Sequence, residues 1–143
     1  MQGSIFHLAF PVLNLKESQH FYVNILGAKI GRVRDHWIDI YLFGGQITLH
    51  EQPNQVLPAG QHGVRHFGAV LSWNDWETLV KRLEEQGVPF KGKPTISGEG
   101  TVLEQAKLHL TDPSGNEVEV KAYRDPARAL ENDDLQACLP VAA

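Results

Sequence analysis

Ile5-Phe6-His7-Leu8-Ala9-Phe10 and Arg65-His66-Phe67-Gly68-Ala69-Val70-Leu71 are two short apolar runs, each with a histidine near its start. Their reading decides the fold, because each runs into the same order of parts. After the first, Asn14 can cap a helix whose face carries Leu15, Phe21, Tyr22 and Ile25, and Gly27 supplies a left-handed stop. After the second, Asn74 with Glu77 forms a capping-box pattern, and Trp76, Leu79, Val80 and Leu83 make an apolar stripe that Gly87 ends. From His7 to Gly27 is 20 positions, and from His66 to Gly87 is 21.

Beyond each glycine the apolar period changes from helical to alternating. Trp37-Ile38-Asp39-Ile40-Tyr41-Leu42-Phe43 predicts a strand, Gly44-Gly45 a turn, and Gln46-Ile47-Thr48-Leu49-His50 its hairpin partner. Gln105 to Leu110, the turn Asp112-Pro113-Ser114-Gly115-Asn116 and Glu117 to Lys121 repeat the pattern. Short strands at Lys29 to Val33 and Pro89 to Lys91 complete two βαβββ modules. The fold class is therefore α+β, a curved mixed sheet built from two modules around a shared site. One domain is expected over residues 1–143, with module 1 at about 4–52, module 2 at about 64–123 and a C-terminal extension at 124–143. The Gly- and Pro-containing stretch from Gly92 to Leu103 reads as a loop that shapes access to the site. Asp125-Pro126 can start a short helix through Glu131, followed by an exposed tail.

Composition narrows the function classes. A 42% hydrophobic content in 143 residues suffices for one core, and the net charge of -4 comes with 13 Lys and Arg residues spread singly. No basic run or stripe calls for nucleic acid or an anionic membrane. The one cysteine, Cys138, excludes a disulfide framework and a thiolate cluster, and fits a reducing cytoplasm. Met1 to Leu15 lacks a basic leader region and is interrupted by His7, Pro11 and Asn14, so neither a signal peptide nor a spanning helix is expected.

Alternation along the strands gives each side chain a direction. If the helices cover Phe6, Leu8, Phe10, Ile38, Ile40, Leu42, Ile47 and Leu49, the opposite face of module 1 carries His7, Trp37, Asp39, Tyr41, Gln46, Thr48 and His50. The matching face of module 2 carries His66, Lys107, His109, Glu117, Glu119 and Lys121. Imidazoles and carboxylates on a covered face are costly unless paired, protonated or metal-bound. Two imidazoles and a carboxylate hold a divalent first-row cation and leave coordination positions open. The alternatives are core histidines hydrogen-bonded at strand ends, and a Glu119 paired with Lys121 or Lys107. Phe21 and Tyr22 read as helix-to-sheet contacts, and His20, His36 and His62 as surface residues.

His7-Leu8-Ala9-Phe10-Pro11-Val12, Phe21-Tyr22-Val23-Asn24-Ile25-Leu26-Gly27 and Asp112-Pro113-Ser114-Gly115-Asn116-Glu117-Val118-Glu119 resemble the vicinal-oxygen-chelate superfamily. That superfamily includes glyoxalase I, bleomycin-resistance proteins, fosfomycin-resistance enzymes and type I extradiol dioxygenases. The similarity runs from Ser4 to about Asp125. More narrowly, Asp35 to Phe43, His50, His66 to Trp76, Glu104-Gln105 and Lys121 to Asp125 look like a bacterial group described as extradiol-type dioxygenases. The resemblance implies one divalent metal on His7, His66 and Glu119, with Glu119 preferred to Glu117 by position. Fe(II) is favoured, with Mn, Ni, Co or Zn as alternatives. One departure concerns a fourth ligand. The position matching Glu119 in module 1 is Thr48, and His50, two residues on, is left as a ligand, a base or a supporting group.

The implied activity is that of a metal-dependent enzyme on a small oxygenated, catechol-like substrate, with extradiol ring cleavage if the metal is Fe(II). A lyase, isomerase or transferase is the alternative with other metals, and a metal-free binding or resistance protein is the alternative outside catalysis. His50 and His109 are the candidate proton-transfer groups. Trp37, Tyr41, Glu104, Lys121 and Arg124 are the candidate substrate contacts. Dimerisation is common in the superfamily, so the resemblance leaves a homodimer open, and nothing in the sequence fixes the assembly.

Overall fold

A computed structural model of the protein describes residues 3–132. Cys138 and the expected tail lie outside the described residues. The chain divides into two compact units, Met1–Arg65 with Thr111–Asn116, and His66–Leu110 with Glu117–Ala143. No helix among the described residues is long and apolar enough to cross a membrane.

In the first unit, β1 (His7–Val12), β2 (Lys29–Val33), β3 (Trp37–Leu42) and β4 (Gly45–Glu51) form a sheet in the order β1-β4-β3-β2. β1 runs parallel to β4, while β3 is antiparallel to both β2 and β4. The parallel pair requires a crossover, which the helical segment between β1 and β2 provides. That segment starts as α1 (Leu15–Gln19), with Asn14 accepting a hydrogen bond from Glu17 N at 3.0 Å. It continues as a π-helical turn over His20–Ile25, in which Leu26 N donates to Phe21 O five residues back at 3.0 Å. The wider turn lets the adjacent Phe21 and Tyr22 both be buried, which an α-helix advancing about 100° per residue does less well. Gly27 stops the segment at φ +81°, the left-handed conformation expected of it. The core is Val12, Tyr22, Ile38, Ile40, Leu42, Ile47 and Leu49, all buried. Phe6, expected on the helix side, is by contrast 71% exposed, one residue before β1 begins.

The tight turn Thr111–Asn116 belongs to this unit through a network on Asp112. Asp112 Oδ1 accepts from Ser114 N and Asn116 N, both at 2.8 Å, and Oδ2 accepts from Asn116 Nδ2 at 2.9 Å and from the buried Tyr22 hydroxyl at 2.8 Å. Burial, and then the Asp112 charge and hydrogen bond, push the Tyr22 pKa well above its ordinary value, so it stays a donor. Leu13 N donates to Ser114 Oγ at 2.8 Å, tying the end of β1 to the same turn. His62 is buried rather than on the surface, with Nε2 3.1 Å from Leu57 O and its ring against Gly115.

The second unit repeats the order. β5 (His66–Leu71), β6 (Thr95–Ser97), β7 (Gln105–Thr111) and β8 (Glu117–Tyr123) form a sheet in the order β5-β8-β7-β6, with β5 parallel to β8. The helix α2 (Trp73–Glu85) begins earlier than expected. Ser72, not Asn74, is its N-cap and accepts from Asp75 N at 3.2 Å. Trp73, Trp76 and Leu83 are buried, and Trp76 Nε1 donates to Val120 O at 3.1 Å, fixing α2 on β8. The short strand expected at Pro89 to Lys91 is absent. Lys91 N still donates to His109 O at 2.9 Å, but the strand on that edge is β6, inside the expected loop. A last short helix, α3 (Pro126–Ala129), is capped by Asp125.

Candidate metal centre

The parallel registers match between units. His7 faces Gln46 and His66 faces Glu117, so Thr48 opposite Ala9 corresponds to Glu119 opposite Gly68, and His50 corresponds to Lys121. β5 approaches β8 closely at this level, because a Cβ at Gly68 would overlap the Glu119 carbonyl oxygen.

In the second unit Glu119 is the focus. Its side chain is 6% exposed, and Oε2 lies 2.8 Å from His66 Nε2. Oε1 has Lys107 Nζ at 3.3 Å, Lys121 Nζ at 3.8 Å and His109 Nε2 at 3.1 Å. The His109 contact is close but off the line of a good hydrogen bond, and its buried Nε2 has no aligned partner. Burial acts first on Glu119 and raises its pKa. His109 and Lys107, then the Lys121 charge, outweigh that effect, and the carboxyl is held below its ordinary range. Glu119 is therefore an ionised carboxylate facing a shallow concavity that His66, Gly68, Val70, Lys121 and Tyr123 also line. The ion pair with Lys107 and Lys121 expected of an ordinary strand acid is present, but on a buried carboxylate.

Glu104 and Arg124 are brought together elsewhere in this unit. Arg124 Nε lies 3.3 Å from Glu104 Oε1, and its guanidinium stacks 3.7 Å from the Trp73 ring centre. Glu117 binds Lys91 Nζ at 2.9 Å, which separates it from the Glu119 cluster.

In the first unit His7 is exposed at the start of β1, and Tyr41 is exposed on β3. Trp37 and His50 face each other across β3 and β4, with ring centres 6.5 Å apart. Beside them Asp39 is fully buried, accepting from Thr48 Oγ1 at 2.7 Å and from Arg32 Nε at 2.6 Å. Burial raises the Asp39 pKa, but the Thr48 and Arg32 hydrogen bonds and the Arg32 and His7 charges lower it further. Arg32 escaped the sequence reading for a physical reason. Counted from Ile30, strict alternation sends it to the helix side, but β2 carries a bulge between Ile30 and Val33 that turns it toward Asp39.

Among the described residues, no group of three or more His, Cys, Asp or Glu side chains is placed to hold a metal ion. Within one unit the metal-type donors in contact are the His66 nitrogen and the Glu119 oxygens, with His109 beside them. His7 lies in the other unit.

A model of the glyoxalase/bleomycin resistance protein/dioxygenase superfamily matches residues 4–120. A crystal structure of a glyoxalase/bleomycin resistance protein/dioxygenase from Alicyclobacillus acidocaldarius superposes with a TM-score of 0.78 at 31% identity, over 90% of this chain and 98% of that one. Glutathione transferase FosA of Serratia marcescens is 25% identical over 124 residues, 84% of this chain and 81% of its own length. A probable trivalent organoarsenical cleaving enzyme of Bacillus subtilis is 25% identical over 134 residues, 93% and 89% of the two chains.

Proposed function

Because the chain belongs to the glyoxalase/bleomycin resistance protein/dioxygenase superfamily, we propose that it is a metal-dependent enzyme acting on a small oxygenated molecule. Its ligands are His66 and Glu119 of the second unit and His7 of the first. The observation that carries this reading is the buried, ionised Glu119 with His66 Nε2 2.8 Å from its Oε2 on a neighbouring strand. An imidazole nitrogen and a carboxylate oxygen side by side fit a divalent first-row ion, Fe(II) first and Mn, Ni, Co or Zn after it. His7 adds a second imidazole from the equivalent strand position. Once bound, the ion supplies a positive charge that polarises substrate oxygens.

The remaining work falls to this chain's own side chains. His50, whose ring centre lies 6.5 Å from that of Trp37, is the first candidate to accept a substrate hydroxyl proton. His109 holds a nitrogen beside Glu119 Oε1 and is the second proton-transfer candidate. His109, Lys107 and Lys121 hold the Glu119 pKa down, and Lys121 also faces the concavity as a substrate contact. Trp37 and Tyr41 are the aromatic substrate contacts on β3, while Glu104 and Arg124 act as a pair. A catechol-like substrate and extradiol cleavage form the finer version of this proposal. The relatives named as a transferase and an organoarsenical cleaving enzyme support group transfer or bond cleavage as its alternative. Cytoplasmic location and a homodimer belong to the same proposal.

A second reading, a metal-free binding protein, draws on one observation. Lys107 and Lys121 give Glu119 counter-charges without any ion. Metal analysis of protein purified without chelator decides between the two. About one equivalent of metal supports the enzyme, whereas no metal and no thermal shift on adding Fe(II), Mn, Ni or Zn supports the binder. Oxygen consumption with a catechol panel after anaerobic Fe(II) loading then tests ring cleavage, and silence across the panel removes it.

A further inference from the structure

Arg32 and Arg34 bring two guanidinium groups to one indole. Arg32 Cζ lies 5.1 Å and Arg34 Cζ 5.6 Å from the Trp37 ring centre. Cations over an indole are held by its ring charge distribution, but two on the same ring repel each other. The carboxylate beside them compensates for only one. Asp39 takes Arg32 through Nε, and its other oxygen is used by Thr48, so the two terminal nitrogens of Arg32 make no hydrogen bond among the described residues, with the side chain 62% exposed. Arg34 spends Nη1 on Val33 O at 2.8 Å and is otherwise exposed. Asp35 and His36, in the turn between β2 and β3, make no ion pair with either guanidinium among the described residues.

Arg34 is thus without an ion-pair partner among the described residues, its forked guanidinium lying over the Trp37 ring at the edge of the face that carries His50. A planar oxyanion is the ligand that matches such a fork, accepting paired charge-assisted hydrogen bonds. We propose that Arg32 and Arg34, aligned on Trp37, form a docking point for a carboxylate or similar oxyanion carried by the substrate. The inference rests on reading this face as substrate-facing, and it narrows the substrate class to small anionic molecules. Asp39 then acts as a positioning residue, holding Arg32 by one nitrogen so that the others stay available.

The test is equilibrium binding of three probes, benzoate, inorganic phosphate and uncharged benzamide, followed by calorimetry and by Trp37 fluorescence, with Trp37→Phe assigning the signal. Benzoate is expected to bind saturably and benzamide at least about tenfold more weakly; phosphate binding beside benzoate marks a general oxyanion site, and its absence marks a planar one. Arg34→Gln is the informative variant, since Arg34 holds no buried partner, and it should weaken benzoate about tenfold, with Arg34→Lys in between. Equal binding of benzamide, wild-type benzoate affinity in Arg34→Gln, or no benzoate binding at all overturns the inference. His66→Ala separates this result from the metal proposal. Unchanged benzoate affinity there places the anion on the arginines, and lost affinity places it on a metal and overturns the inference. A chain that takes up none of the metals yet binds benzoate through Arg34 refutes the metal reading alone.

Discussion

At the scale of the residue, chemistry turns on two buried carboxylates with opposite surroundings. Glu119 sits among two imidazoles and two lysines, whereas Asp39 is spent on one arginine and one threonine. If Glu119 and His66 hold a metal, His66→Ala should abolish metal retention, while His50→Ala should keep the metal and chiefly lower turnover. Metal content measured by plasma emission checks this, and equal loss in both variants would make His50 a ligand. Asp39 predicts a pH effect. Its folded pKa lies below the ordinary carboxylate range, so its stabilising contribution is complete above that range and disappears as pH falls through and below it. The wild-type protein should therefore lose more stability between about pH 7 and about pH 3 than Asp39→Asn does. At neutral pH the variant should be weaker by about 2 kcal/mol, from the two altered hydrogen bonds. Arg32 is exposed, so solvent screening keeps the ionic part of that cost small. Urea midpoints at the two pH values measure both effects, and parallel losses in the two proteins would show that Asp39 is not the titrating group.

At the scale of the element, strands were legible and helix boundaries less so. Alternation marked β3, β4, β7 and β8 within a residue or two because each buries one apolar face. It also puts Trp37, Asp39, Thr48 and His50 on one face, where the structure pairs Thr48 with Asp39 and His50 with Trp37. It failed where the backbone leaves its period, at the β2 bulge that turns Arg32 and at the π-helical turn that buries Phe21 and Tyr22 together. The start of α2 was misread because two capping patterns overlap. Asn74-x-x-Glu77 has the right composition, but Ser72 lies earlier and starting there buries Trp73 as well as Trp76. Burial of a large aromatic outweighs a choice between two polar caps. Ser72→Ala should accordingly cost about 1 kcal/mol, and Asn74→Ala, exposed inside the helix, almost nothing. Thermal melts of the two variants decide the matter, and the reverse order of losses would restore Asn74 as the cap.

At the scale of the whole molecule, the two-module order was readable because the same parts recur in the same order. What composition could not show is that the chain enters the first unit twice. The Asp112-Pro113-Ser114-Gly115-Asn116 turn, which carries much of the family resemblance, is a structural clasp rather than a chemical group: the hydrogen bonds on Asp112 hold the turn's own backbone, the Asn116 side chain and Tyr22 in place. β7 and β8 of the second unit both run into a turn that belongs to the first. Loosening that turn therefore releases the ends of two strands that lie outside its own unit. Tyr22→Phe removes a buried donor and leaves Asp112 Oδ2 with Asn116 alone, at a cost of about 1 to 2 kcal/mol. If connectivity couples the units, that cost will be felt equally by both. Trp37 reports on the first unit and Trp73 and Trp76 on the second, so 5-fluorotryptophan labelling gives each indole its own resonance during urea unfolding. All three signals should vanish at one midpoint, and Tyr22→Phe should lower that midpoint for all three together. A shift confined to Trp37, with Trp73 and Trp76 unmoved, would show that the units unfold separately and that the clasp serves only its own side.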